Sequence, residues 1–219
     1  MNLELYVITD EGIAKGRTHA EIARLACDGG ADAIQLRDKY CSSENLCSIG
    51  REIRAITRRT GTVFIVNDRL DIALACGADG VHLGQDDLKV DLARQKAPRP
   101  FIIGVSVGNS GEAVAAERGG ADYVAVSPVF ATVSKIDAGP GRGLAMIKQI
   151  KSVVSIPVIA IGGINCDNVE EVIASGADGV AVISVVVGQP DITAASRDLK
   201  KRITAAKQSR TRLKAINPD

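Results

Sequence analysis

The sequence predicts an α/β fold: a single closed barrel of eight parallel strands, each followed by a helix. Three observations carry that expectation. Eight short β-branched runs alternate with longer amphipathic segments along the 219 residues. Most of these runs are continuously apolar rather than alternating, as strands buried on both faces of a parallel sheet are. A Gly-Ala-Asp triplet recurs at Gly30, Gly77, Gly120 and Gly176, at spacings of 47, 43 and 56 residues. That is about the length of two βα units, so the triplet precedes every second strand. A closed (β/α)8, or TIM, barrel fits this repeat better than the runner-up, an open doubly wound sheet.

The first run, Leu3–Thr9, leads into a helix from Thr18 to Ala26, where Thr18 and Glu21 have the spacing of a capping box. Ala33–Arg37 follows, then a helix over Ser43–Arg59 with Leu46, Ile49, Ile53 and Ile56 on one stripe. Val63–Asn67 and Gly80–Leu83 flank a short, weaker helical segment, Arg69–Cys76, and Val90–Ala97 leads to the fifth strand, Phe101–Ser106. Helices over Gly111–Arg118, Leu144–Val154 and Asn168–Ala174 precede the strands Tyr123–Ser127, Pro157–Gly162 and Gly179–Ser184. The last helix runs from Ile192 to about Ser209. Each triplet glycine suits the left-handed position that ends a helix. Proline-rich and serine-rich linkers are missing, so residues 1–210 form one barrel domain, with a basic, flexible tail at 211–219. Seven Lys/Arg from Lys200 onward read as a solvated face of the last helix.

Composition narrows the function. The chain is 46% hydrophobic and 24% charged, which is globular, and large enough to bury about 70% of its unfolded surface. Its net charge of +1 gives no reason to expect a nucleic acid or a membrane surface as partner. With 3% aromatic residues and no Trp, stacking platforms for bases are not expected either. Cys27, Cys41, Cys47, Cys76 and Cys166 are odd in number and irregular in spacing, and read as reduced thiols. No segment reads as a signal peptide, and the uncharged stretch Ser152–Cys166 is interrupted by Pro157 and Gly162-Gly163. A cytoplasmic protein acting on small molecules is expected. No interface is legible, which leaves a homo-oligomer open.

In such a barrel the chemistry sits at the carboxyl ends of the strands. The second strand ends in Gln35, Arg37 and Lys39, which alternation places on one side, an arrangement suited to a diphosphate. The third ends in Asn67-Asp68 and the fourth in Gln85-Asp86-Asp87. Carboxylates on neighbouring strand ends fit Mg2+, which takes one or two carboxylates and leaves its other positions to water and phosphate. Helix capping is the competing reading of both aspartates. Ser106 ends the fifth strand, and Ser127-Pro128 leads into a loop with Thr132, Ser134 and Lys135 bounded by Gly139, Gly141 and Gly143, the makings of a phosphate-covering loop. Gly162-Gly163 and Ile183-Ser184 end the last two strands, where barrels often bind phosphate on backbone N–H groups. His82 reads as a packed, hydrogen-bonded histidine and His19 as a surface residue.

Together these pieces resemble the thiamin phosphate synthase family. The resemblance rests on Val7-Ile8-Thr9-Asp10, Gln35-Leu36-Arg37-Asp38-Lys39, Asn67-Asp68-Arg69, the run Gly80 to Asp87, Gly104-Val105-Ser106, Ser127 to Lys135, Ile161-Gly162-Gly163-Ile164 and Val182-Ile183-Ser184. They fall in order over about residues 5 to 185. The resemblance implies condensation of hydroxymethylpyrimidine diphosphate with hydroxyethylthiazole phosphate, giving thiamin phosphate and diphosphate, with Mg2+ as cofactor. It implies that Gln35, Arg37, Lys39, Asn67, Ser106 and Lys135 hold the pyrimidine diphosphate, with Arg37, Lys39, Lys135 and Ser106 acting in catalysis. Asp68 and Asp87 would ligate the metal. Thr132, Ser134, Gly163, Ile183 and Ser184 would hold the thiazole phosphate. Two other readings stand beside it: a thiazole tautomerase-like isomerase, and a non-catalytic phosphate-ligand binding protein. The isomerase uses a His after the fifth-strand serine, where this chain has Gly108; the synthase family also commonly carries a small residue and then His there, so Val107-Gly108 departs from that pattern too. Ser127 where the family usually has Gly, and Ser134 in place of Thr, are further departures.

Overall fold

The structure, a computed structural model, describes residues 1–132 and 140–216. Its described elements alternate as β1 (Leu5–Ile8), α1 (His19–Asp28), β2 (Ala33–Leu36), α2 (Ser43–Thr60), β3 (Val63–Asn67), α3 (Leu70–Ala75), β4 (Gly80–Leu83) and α4 (Val90–Lys96). They continue with β5 (Ile102–Val107), α5 (Ser110–Arg118), β6 (Tyr123–Val126), α6 (Gly143–Lys151), β7 (Val158–Ile161), α7 (Val169–Ala174), β8 (Gly179–Val182), α8 (Ser184–Val187) and α9 (Ile192–Ile216). The eight strands are parallel and close in sequence order, with β8 pairing β1 at Tyr6 and Ala181. The expected (β/α)8 barrel is present.

Alternation along each strand sorts its residues into two layers. Leu5, Val7, Ile34 and Val66 point outward and pack under the helices, whereas Tyr6, Ile8, Ala33, Ile65, Tyr123 and Ala125 fill the barrel. Thr18 caps α1 through the full capping box with Glu21. The triplet glycines Gly30, Gly77, Gly120 and Gly176 all have positive φ, as helix-ending glycines do.

The aspartates of the triplets explain why the motif repeats. Asp32, Asp79, Asp122 and Asp178 each accept a backbone N–H at the start of the preceding strand, from Leu5, Phe64, Ile103 and Val158, at 2.8–2.9 Å. Each also pairs with a cation, Lys200, Arg54, Arg94 and Lys151 in turn. Four carboxylate clips thus tie the amino ends of the strands to the surrounding helices.

Two features depart from expectation. The eighth strand stops at Val182, and a one-turn helix, α8, begins at Ser184 with the Val187 N–H donating to Ile183 O at 2.7 Å. Its Val-Val-Val composition concealed it among β-branched runs. Helix α9 runs on past Ser209 to Ile216. Arg210 holds it there by donating to the carbonyls of Ile173 and Ala177, and Lys200 and Lys207 both pair with Glu4. These cations of the basic stretch are therefore structural ties to the barrel.

Candidate active site

A cavity of about 870 Å³ opens at the carboxyl ends of the strands. It is lined by Gln35, Arg37, Lys39, Asn67, Asp68, Asp87, Ser106, Thr132, Gly163, Ile183 and Ser184, so the structure brings these sequence-derived candidates into one place. Ser134 and Lys135 lie outside the described residues.

On the β2 side the groups are amide and cation. Gln35 is buried and donates from Nε2 to Tyr6 Oη at 2.7 Å. Arg37 donates its backbone N–H to Thr9 Oγ1 at 3.4 Å, and its guanidinium lies 3.5 Å from Asp10 Oδ2. Asp38, between the two cations, turns away from the cavity: its Oδ1 accepts from the N–H groups of Tyr40 and Cys41.

Opposite them stand the two aspartates. Asp68 has φ of +62°, a left-handed conformation uncommon outside glycine, and its N–H donates to His82 O at 2.8 Å. The turn directs its carboxyl onto that of Asp87, while Asp87 Oδ2 also accepts the Gly84 N–H at 2.6 Å. Burial and the facing carboxylate push Asp68 up to about 6, with Lys39 and Arg37 pulling the other way. Neither aspartate caps a helix, since α3 and α4 begin after Arg69 and Lys89, without side-chain caps. The capping reading is set aside. Two oxygen-donor groups forced together beside cations fit a small divalent ion that keeps positions free for phosphate. A group of three or more His, Cys, Asp or Glu is not found among the described residues.

Behind the cavity runs a buried polar chain that the sequence reading missed. Gln35 bonds Tyr6, whose hydroxyl is 3.1 Å from that of Tyr123; Tyr123 Oη is 3.0 Å from His82 Nδ1, and His82 Nε2 is 2.9 Å from Ser106 Oγ. The chain links β2 to β5 across the barrel floor. His82 stacks on Tyr123 at 5.7 Å, and Tyr6 meets Tyr123 edge-on. Burial raises both phenols, so they remain protonated donors. Gly104 makes room: a Cβ there would lie 2.0 Å from the Tyr123 ring. His82 is packed and hydrogen-bonded as expected, and it also lines the cavity. The two tyrosines sit inside apolar runs, where sequence alone does not separate them from core; the inward-facing Gly104 is the available signal.

Two further residues differ from their reading. His19 is buried, not a surface residue, and bridges Thr9 and Asp38. Where the isomerase reading needs a histidine, Gly108 leaves room that the Arg142 guanidinium occupies; a Cβ on Gly108 would meet it at 2.5 Å. On the far side, Gly163 has φ of +64°, and a Cβ there would strike Ala131 O at 2.6 Å. Glycine thus allows the β7 loop to press against the β6 loop, next to Ser184.

Comparison with known proteins agrees on one family. A family model described as thiamine monophosphate synthase matches residues 5–186. The thiamine-phosphate synthase of Methanoregula boonei is 71% identical over 95% of this chain and 96% of its own length. That of Methanoculleus marisnigri is 60% identical over 94% and 98%. Among solved structures, the thiamine phosphate pyrophosphorylase from Pyrococcus furiosus is 44% identical, with a TM-score of 0.87 over 93% of this chain and 96% of the other.

Proposed function

Because the chain belongs to the thiamine monophosphate synthase family, we propose how its cavity carries out that family's reaction. The chain is a thiamine-phosphate synthase, a transferase that moves a pyrimidinylmethyl group with release of diphosphate. The observation that carries the mechanism is one cavity with a cationic wall of Arg37 and Lys39 facing the paired carboxylates Asp68 and Asp87.

In this reading the pyrimidine diphosphate lies between β2 and β5. Gln35, braced by Tyr6, and Ser106, braced by His82, orient it, together with Asn67. Asp68 and Asp87 would hold Mg2+, which supplies positive charge to the diphosphate oxygens when bound. Arg37 and Lys39 stand where the departing diphosphate gains charge, so they bind the leaving group more tightly as its bond breaks. The family resemblance adds Lys135 to these cations. The thiazole phosphate takes the opposite side, on Gly163, Ile183 and Ser184 with Thr132 and Ser134. Holding the two substrates together makes the encounter local: in a dissociative substitution the methylene C–O bond to diphosphate breaks with carbocation-like character at that carbon, and the thiazole nitrogen forms the new C–N bond to it. The thiazole nitrogen is itself the nucleophile, so no general base is required. Gly108, filled by Arg142, takes the place of the isomerase's histidine while Arg37, Lys39, Asn67, Asp68 and Asp87 all remain in the cavity, which speaks against the isomerase reading.

The five cysteines are all free thiols, which supports a reducing, cytoplasmic setting. No described helix is long and apolar enough to cross a membrane.

The test is a coupling assay with both substrates and Mg2+, in which thiamin phosphate is oxidised to fluorescent thiochrome. Product that disappears on chelation, and in Asp68→Ala and Asp87→Ala, supports the metal role. Normal activity in both variants rejects it.

A further inference from the structure

We infer that His19 is a positioning residue for the diphosphate-binding segment, holding Arg37 and Lys39 in register through Thr9 and Asp38. The inference rests on the functional reading above. His19 is 2% exposed, sits in the first turn of α1 and does not line the cavity. Its Nδ1 lies 2.7 Å from Thr9 Oγ1 and its Nε2 3.4 Å from Asp38 Oδ2. The imidazole is therefore a strut between Thr9, the residue following β1, and the loop leaving β2.

Each end of the strut reaches a cation. Thr9 Oγ1 accepts the Arg37 N–H at 3.4 Å, and the Thr9 N–H donates to Gln35 O at 2.9 Å. Asp38 accepts the N–H groups of Tyr40 at 2.8 Å and Cys41 at 3.0 Å, so the chain on both sides of Lys39 wraps around this one carboxylate. Glu11 anchors the strut itself: it accepts the His19 N–H at 2.9 Å, and its Oε1 lies 3.8 Å from Nε2. The charged groups around the imidazole are thus Asp38 and Glu11, with the Asp10–Arg37 pair beyond Thr9. An apolar side chain would fill this buried position at lower desolvation cost. Two nitrogens bonded to two strand ends are explained by what they align. Loss of the strut releases the loop at Asp38 and loosens the cations, while the glycine and serine groups of β7 and β8 are out of its reach.

The experiment is steady-state kinetics of the full chain with Mg2+, varying each substrate in turn, with the melting temperature of every variant recorded. In His19→Ala the KM for the pyrimidine diphosphate rises about tenfold, the size of one lost hydrogen bond, and that for the thiazole phosphate stays within about twofold. His19→Gln, which keeps one donor and one acceptor, recovers most of the loss. Equal rises in both KM values, or no change in either, would make His19 a packing residue and overturn the inference. Where His19→Ala does not fold, Asp38→Asn weakens the same link from its other end and must show the same one-sided change; an unchanged KM there also overturns it. No turnover by the unaltered chain would remove the functional reading and this inference with it. Normal turnover with substrate-blind variants removes this inference alone.

Discussion

Replacing Asp68 by asparagine will stabilise the protein in cation-free buffer above pH 6. Burial and the facing Asp87 carboxylate push Asp68 from an ordinary 3.8 to about 6. A shift of roughly two units corresponds to at most about 3 kcal/mol. Asp68 is only partly buried, and solvent screening reduces this to roughly 1–1.5 kcal/mol. The sign follows from linkage. A protonated Asp68 is at home in the fold, an advantage that is full below about pH 4 and lost as pH rises through about 6; above that the ionised pair opposes folding. Asparagine is neutral throughout, so its gain grows between about pH 4 and pH 6 and is full at pH 8. For a chain of this length the gain is about 2–6 °C in Tm. Thermal melts followed by circular dichroism in EDTA, at pH 8 and pH 4.5, measure it. Millimolar Mg2+ then reverses the ranking, raising the Tm of the parent but not of the variant. A variant that melts below its parent at pH 8 in EDTA, or gains equally at both pH values, would refute the reasoning.

Three other substitutions probe the rest of the molecule. Tyr123→Phe leaves Tyr6 and His82 each short of a buried partner; urea denaturation is expected to show a loss of about 1–3 kcal/mol, and kcat to fall with it. In Gly104→Ala the added methyl meets the Tyr123 ring, which must move; the expected cost is about 1–3 kcal/mol, with a weakened pyrimidine diphosphate KM as the kinetic readout. Asp79→Ala removes the clip on Phe64 N–H and Arg54 at the other end of the barrel; about 1–3 kcal/mol of stability is lost, and both KM values stay unchanged.

The barrel was legible because its strands are buried on both faces and so appear as unbroken apolar runs, and because the triplet marks every second unit. The same cue failed where composition and conformation part company. Ile183 to Val187 is β-branched apart from Ser184, yet the chain must turn at the rim, and its last four residues form α8. The cations and carboxylates of the site were visible as strand-end residues. What the sequence did not show is that neither aspartate caps a helix and that the left-handed turn at Asp68 directs its side chain at Asp87. Tyr6 and Tyr123 went unread because a tyrosine inside an apolar run has the same pattern as core, and its hydroxyl partners come from strands far away in sequence. His19 carries no periodicity at all; only the packing of α1 against the ends of β1 and β2 shows its use.

Aspartate does opposite work at the two ends of this barrel. Before a strand, Asp32, Asp79, Asp122 and Asp178 each find an N–H and a cation, and every charge is answered within the chain. After a strand, Asp68 and Asp87 find each other. An ion pair of the first kind favours the fold, whereas the facing pair stores repulsion that an added cation relieves. The same change, Asp→Asn, is therefore expected to destabilise at the amino ends of the strands and to stabilise at Asp68 when no divalent ion is present. Position relative to the strand, not residue type, sets that sign. A fold with well-tied amino ends can carry this repulsion at its open mouth, which is where a diphosphate and its counter-ion would be drawn in.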